Sequence, residues 1–168
     1  MSEVIFSIFP SKNFIDLGLY QFGWEHCEPS HSFGPAMRNH FLFHYVISGT
    51  GTLIAENSKK ESISYSIKSG QGFMIFPNQI CTYIADAQQP WEYVWIEFDG
   101  LRAKETVELS GLCVNSPVYK AKYKDVAQTM KDEMLYIINH KDDSPFHLIG
   151  HLSVSYTHLR AHETDSYL

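Results

Sequence analysis

Trp91, Tyr93, Trp95 and Glu97 recur at every second position of one apolar run. In an extended strand alternate side chains share a face, so three aromatic rings and a carboxylate line up together. Aromatic faces stack on the C–H side of a sugar ring, and carboxylate, hydroxyl and imidazole groups take its hydroxyls. Mostly apolar walls with a few convergent polar groups describe a pocket for a small polar molecule. The plainer reading is a barrel core, with Glu97 in a salt bridge at the rim, because a buried carboxylate needs a partner. A second alternation adds His44. His40, Leu42, His44, Val46 and Ser48 fall on one face of their run, and Phe41, Phe43, Tyr45 and Ile47 on the other. Both faces are largely apolar, so both are expected to be covered. His44 reads either as a ligand contact or as a hydrogen-bonded core histidine. Ser48 either faces the pocket or serves the turn at Gly49. Arg38 is a weaker candidate, since it also reads as a loop anchor held by a carboxylate.

Other chemistries find less support. The chain has no GxSxG elbow and no GxxxxGK phosphate loop. Gly49-x-Gly51 and Gly70-x-Gly72 read as turn glycines. Cys81 reads as a buried inert thiol before it reads as a nucleophile. No catalytic residue is therefore assigned, and no cofactor is implied.

The elements that must position these residues are short. From Val4 to about Phe98, runs of Val, Ile, Phe, Tyr and Trp are broken by Gly, Pro, Asn and Ser, which predicts a β-sandwich or barrel. Asn57–Lys60 and Ser69–Gly72 read as turns, and Pro77-Asn78 stops the strand at Phe73–Phe76. After Gly100 the period becomes helical. A short helix is expected over 101–112. A second is expected over 125–140, where Val126, Met130, Met134, Ile137 and Ile138 recur at three- and four-residue steps. Ser144 and Pro145 suit the N-cap and first residue of a third.

The 168 residues allow one domain or a domain with a helical appendage. A net charge of −6 argues against this piece gripping nucleic acid by itself, because phosphate binding needs clustered Lys and Arg. No run of about 18 apolar residues predicts a membrane span, and the N-terminus does not read as a secretory signal. Three widely spaced cysteines without a CxxC pair suit reduced thiols and a cytoplasmic protein.

Several strings in order resemble the cupin barrel, and more narrowly the N-terminal effector domain of AraC/XylS-family transcription regulators. They are Gly23–Pro29, Phe33–Arg38, His44–Gly51, Gly70–Gly72 with Phe76-Pro77, and Pro90–Gly100. The resemblance covers about residues 15 to 150, and its nearest look-alikes are sugar-responsive regulators. It implies a mainly β fold: a cupin-like barrel (double-stranded β-helix or jelly roll) followed by two to three α-helices. It implies a sensing barrel with an N-terminal arm over 1–100, the arm being Met1–Pro10, and a helical dimerisation region over 101–152. The effector implied is a small polar molecule, a mono- or oligosaccharide. Sugar-contacting positions of the arabinose-type regulator fall on Glu25, Ser48, Tyr83, Tyr93 and Trp95. Ser48 takes the place of a basic side chain there and Tyr93 that of a His. The homodimer would form through the C-terminal helices, with Met130, Met134 and Ile137 as its apolar seam; the plainer reading of the 125–140 helix is that it simply covers the barrel. DNA would be bound only by helix-turn-helix units beyond residue 152. A metal-dependent cupin enzyme is the rival, but its pattern of His-x-His, Glu and a later His is not met. His40 and His44 stand four apart, and Cys81 and Thr82 hold the later His slots, so no metal is expected from that pattern.

Val154–Thr164 also resembles the translation of a transposon-end sequencing adapter. That reading makes 153–168 a non-native tail, leaves the DNA-binding domain missing, and removes His158 and His162 as a metal pair despite their i, i+4 spacing.

Overall fold

A computed structural model describes residues 3–8 and 15–160 of the chain. In chain order these form β1 (Glu3–Ile8), β2 (Gly18–His26), β3 (Ser32–Ala36), β4 (Phe41–Ser48), β5 (Thr50–Glu56), β6 (Ser62–Lys68) and β7 (Gln71–Ile75). There follow β8 (Cys81–Ala85), β9 (Glu92–Asp99), α1 (Leu101–Leu109), β10 (Val118–Lys120), α2 (Lys124–Asn139) and α3 (Pro145–Arg160). One sheet runs β1-β2-β9-β4-β7-β10 and the other β3-β8-β5-β6. All named strand pairs are antiparallel. The result is a two-sheet, cupin-like β-fold with helices behind the larger sheet, as the resemblance implies.

Period-2 patterning explains why the larger sheet has two buried faces. On β4, Phe41, Phe43 and Tyr45 belong to one core, while Leu42 and Val46 belong to the other. On β9, Val94, Ile96 and Phe98 take the first side, and Tyr93 and Trp95, with Trp91 just before the strand, the second. The first core lies under the helices and is filled by Met130, Met134, Ile137, Leu148 and Leu152. The second lies between the sheets and includes Leu53, Ile67, Phe73 and Tyr83. Each such side chain contributes roughly 1.5–3 kcal/mol on full burial.

This placement corrects the expected dimer seam. Met130, Met134 and Ile137 are fully buried against the chain's own sheet. Three-and-four spacing identifies an apolar stripe but not the surface that covers it.

Other differences have local causes. α1 ends three residues early: the Ser110 hydroxyl bonds the Val107 carbonyl, and Gly111 has φ 72°. That positive φ suits glycine and a helix stop. The Ser144 hydroxyl accepts the His147 N–H at 3.4 Å, and α3 begins at Pro145. α3 then continues to Arg160, where the sequence shows no clear apolar period. Leu148, Leu152 and Ser155 are buried at helical steps, and the small Ser155 hydroxyl bonds the His151 carbonyl. β3 and β10 carry no strong alternation and are held by pairing with β8 and β7. The arm's Met1, Ser2, Phe9 and Pro10, the His158 side chain and His162 lie outside what is described.

Candidate ligand-binding site

A cavity of about 400 Å³ opens at one end of the barrel between the two sheets. β9 supplies its back wall through Tyr93 and Trp95, and β8 adds Tyr83. Phe33 of β3 stacks on Tyr83 at 5.1 Å, and Phe6 of β1 stacks on Trp95 at 6.3 Å. Gly23 makes room for this arrangement. A Cβ there would lie 2.4 Å from the Trp95 ring and 2.4 Å from the Ile5 carbonyl oxygen, so any side chain would push the indole or β1 away.

Polar groups stand at two ends of the aromatic wall. β2 sets them by alternation: Gln21 pairs with Glu97, Gly23 with Trp95, and Glu25 with Tyr93. Four residues of strand span about 13 Å. At one end the Tyr93 hydroxyl donates to Glu25 Oε2 at 2.9 Å, and His31 Nε2 lies 3.4 Å from Glu25 Oε1. At the other, Arg38 Nη1 donates to Glu97 Oε2 at 3.0 Å, and the Gln21 amide donates to the same oxygen. His40 Nδ1 sits 3.1 Å from Glu97 Oε1. Glu97 is thus the hub of the rim, as its salt-bridge reading requires, and Arg38 and Gln21 reach from it into the cavity wall.

Burial tunes the wall. It raises the Tyr83 and Tyr93 phenols above their usual range, so both remain neutral hydrogen-bonding groups at neutral pH. The Cys27 thiol is pushed up to about 12, first by burial and then by the Glu25 charge. The Cys81 thiol is pushed up to about 11 by burial. Neither is a ready nucleophile, because the thiolate is the reactive form.

Glu25, Tyr83, Tyr93 and Trp95 all line the cavity. His44 does not reach it. Its ring is buried behind the wall, 4.5 Å from Phe73, 4.8 Å from Tyr83 and 5.0 Å from Tyr93. Its Nδ1 has no hydrogen-bond partner among the described residues, so the hydrogen-bonded-core reading fails for that atom. Burial, then the Arg38 charge, holds its pKa well below the ordinary histidine value. Ser48 is on the other side of the sheet. The register shifts between Val46 and Ser48, so Val46 pairs with Tyr93 and Ser48 with Glu92. That bulge breaks the alternation. The Ser48 hydroxyl donates to Glu92, which also accepts the Trp24 indole N–H. The basic side chain that lines the cavity is Arg38.

Gln21, Val4, Phe6, Phe33 and Leu42 also line the cavity. Gln21 was within reach of the sequence, because it shares the alternation of Gly23 and Glu25. Phe6 and Phe33 depend on strand pairing that no local pattern reveals. The cupin metal pattern is not assembled: His40 faces Glu97 and stacks on Tyr20 at 3.7 Å, while His44 sits in its ring cage.

The family described as AraC-like ligand binding domain matches residues 18–134, a span that holds β2 to β10 and most of the cavity's lining residues. The chain belongs to that family. Among curated relatives, the AraC-like domain is 34% identical to the Msm operon regulatory protein of Streptococcus mutans over 109 residues, 64% of this chain and 37% of that protein. It is 36% identical to the raffinose operon transcriptional regulatory protein RafR of Pediococcus pentosaceus over 83 residues, 48% of this chain and 28% of that protein. The chain spans about a third of the length of the curated relatives it matches. A solved oxalate decarboxylase from Bacillus subtilis is 12% identical, with a TM-score of 0.44, over 62% of this chain and 33% of that one. That likeness is too remote to bear on chemistry. No described helix is long and apolar enough to cross a membrane.

Proposed function

We propose that this AraC-like domain is the effector sensor of a transcription regulator and that its effector is a saccharide. The carrying observation is the cavity, which joins stacked aromatic walls to polar groups about 13 Å apart along one strand. Trp95 and Tyr83 would stack on ring C–H faces. Arg38, Gln21, Glu25 and the Tyr93 hydroxyl would take ring hydroxyls. The volume falls within the range of small-molecule pockets. The relative named as a raffinose operon regulator supports the choice of class.

In this reading the full protein is a cytoplasmic homodimer that meets DNA through parts outside this domain. Residues 153–168 are a non-native tail. The helical layer carries the dimer contact by its outward residues, since its inward ones are spent on the core. β1 is the element best placed to respond to ligand. It is paired with β2 at the edge of the sheet, and its Phe6 lies on Trp95. A switch follows if ligand binds more tightly to one arrangement of β1 than to another.

Isothermal titration and thermal melts against a panel of mono- and oligosaccharides test this. A ligand at 100 times its Kd is expected to add about 2.7 kcal/mol of stability. Failure of every saccharide at high concentration, with the protein folded, overturns the effector class. Tight operator-specific gel shifts by this chain alone overturn the division of labour.

A further inference from the structure

Beside the cavity, three side chains of different chemistry converge. One ligand atom from each of Glu25, Cys27 and His31 lies within 4.8 Å of the other two, and Glu25 Oε1 and His31 Nε2 are 3.4 Å apart. Among the described residues no other set of three His, Cys, Asp or Glu donors comes this close. We propose that Glu25, Cys27 and His31 form a binding site for a thiophilic divalent cation of the zinc class.

The chain builds the set in two steps. Glu25 and Cys27 are two apart at the end of β2, so they project to the same inner side. The Cys27 N–H donates to the Trp91 carbonyl at 3.1 Å, which fixes the strand end against β9. The chain then reverses over Glu28–His31, closed by the His31 N–H on the Glu28 carbonyl at 3.0 Å, with Ser30 at φ 60°. The His31 carbonyl accepts the Ala85 N–H at 2.8 Å. The third donor is therefore returned to the first two by backbone bonds at both ends of the turn.

The geometry and charge suit the ion. Tetrahedral zinc with N and O bonds near 2.0 Å and a thiolate bond near 2.3 Å separates its donors by about 3.3–3.6 Å. The 3.4 Å between Glu25 and His31 is such an edge. A carboxylate, a thiolate and a neutral imidazole balance a divalent charge, and sulfur with imidazole selects zinc-like over calcium-like ions. Coordination replaces the thiol proton, which leaves to solvent. The outer partners are present: the Tyr93 hydroxyl holds Glu25 Oε2, and the aromatic rings of Trp91 and Tyr93 belong to the same buried cluster as Cys27. His31 is 37% exposed along its side chain, which provides an entry. Three protein donors leave one tetrahedral position, and sharing Glu25 with the cavity wall links cation binding to ligand binding.

The test is a titration of the reduced, chelator-stripped full chain with cobalt(II), followed by zinc. One equivalent should produce a sulfur-to-cobalt charge-transfer band with tetrahedral visible bands, and zinc should erase both. Cys27→Ser should abolish the charge-transfer band, and Cys113→Ser should leave it. His31→Ala should weaken cobalt binding at least about tenfold while the band persists. Should Cys27→Ser fail to fold by circular dichroism, the His31→Ala result decides. A folded wild type without the band overturns the site, as does a band that survives Cys27→Ser, one lost in Cys113→Ser, or unchanged affinity in His31→Ala. Saccharide titration of the metal-free protein separates this outcome from the effector reading, which stands or falls without cobalt.

Discussion

The two faces of the six-stranded sheet use the same strands for opposite ends. Behind β4 and β9, Phe43, Tyr45, Val94, Ile96 and Phe98 meet α1, α2 and α3 in an apolar core, with a groove left beside α1 along Phe41, Phe76, Val107 and Leu112. In front, Leu42, Val46, Tyr93 and Trp95 meet a smaller sheet, and a cavity of about 400 Å³ remains at one end. Helices follow the curvature of a sheet and fill its surface with long flexible side chains such as Met130 and Met134. In front, the rigid rings of Tyr83, Tyr93 and Trp95 line the space left between the sheets. The rear face therefore packs helices, and the front face gathers the aromatic and polar groups of the candidate site. Polar pairs occur on both sides: Glu25, Arg38 and Glu97 gather in front, and Glu92 holds Ser48 and Trp24 behind.

Substitutions should separate the two faces. The largest loss is expected from Phe98→Ala, which empties a fully buried ring position. It should cost about 3–5 kcal/mol in denaturant melts, with ligand affinity unchanged in the folded fraction. A similar loss of affinity without loss of stability would reverse the assignment. Trp95→Ala should do the opposite. Its ring is half-buried in the cavity, so saccharide affinity should drop by about 2 kcal/mol, as expected for an aromatic anchor, with a smaller change in the melt. Calorimetry on the folded variant reads both.

His44 gives a pH test of the front face. Its folded pKa lies below the unfolded value of 6.5, so the unfolded chain binds the extra proton. Stability should be full above about pH 6.5 and fall as pH drops, by about 1.4 kcal/mol per unit until the folded pKa is reached. His44→Phe should flatten that slope. An equal slope in wild type and variant would remove His44 as its source. The smallest effect should come from Ser48→Ala, which loses one half-exposed hydrogen bond to Glu92. It should cost about 0.5–1 kcal/mol and leave saccharide affinity within about twofold. A large affinity loss would put Ser48 back in the site.

Alternation by itself sorted β4 and β9 into two faces, placed Tyr93 and Trp95 together, and marked Met130, Met134 and Ile137 as a buried stripe. These follow from backbone periodicity, which is local and written in residue order. The resemblance added Glu25 and Tyr83, and the family match over 18–134 agrees with it. Tertiary structure decided the rest, because it depends on what lies across from each residue. One bulge after Val46 turned Ser48 away from the cavity. Partners distant in the chain made Glu97 a hub and brought Arg38, rather than Ser48, to the wall. Pairing of β1 and β3 at the sheet edges delivered Phe6 and Phe33. The helical stripe found its cover in the chain's own sheet, since a hydrophobic period specifies burial and leaves the partner open.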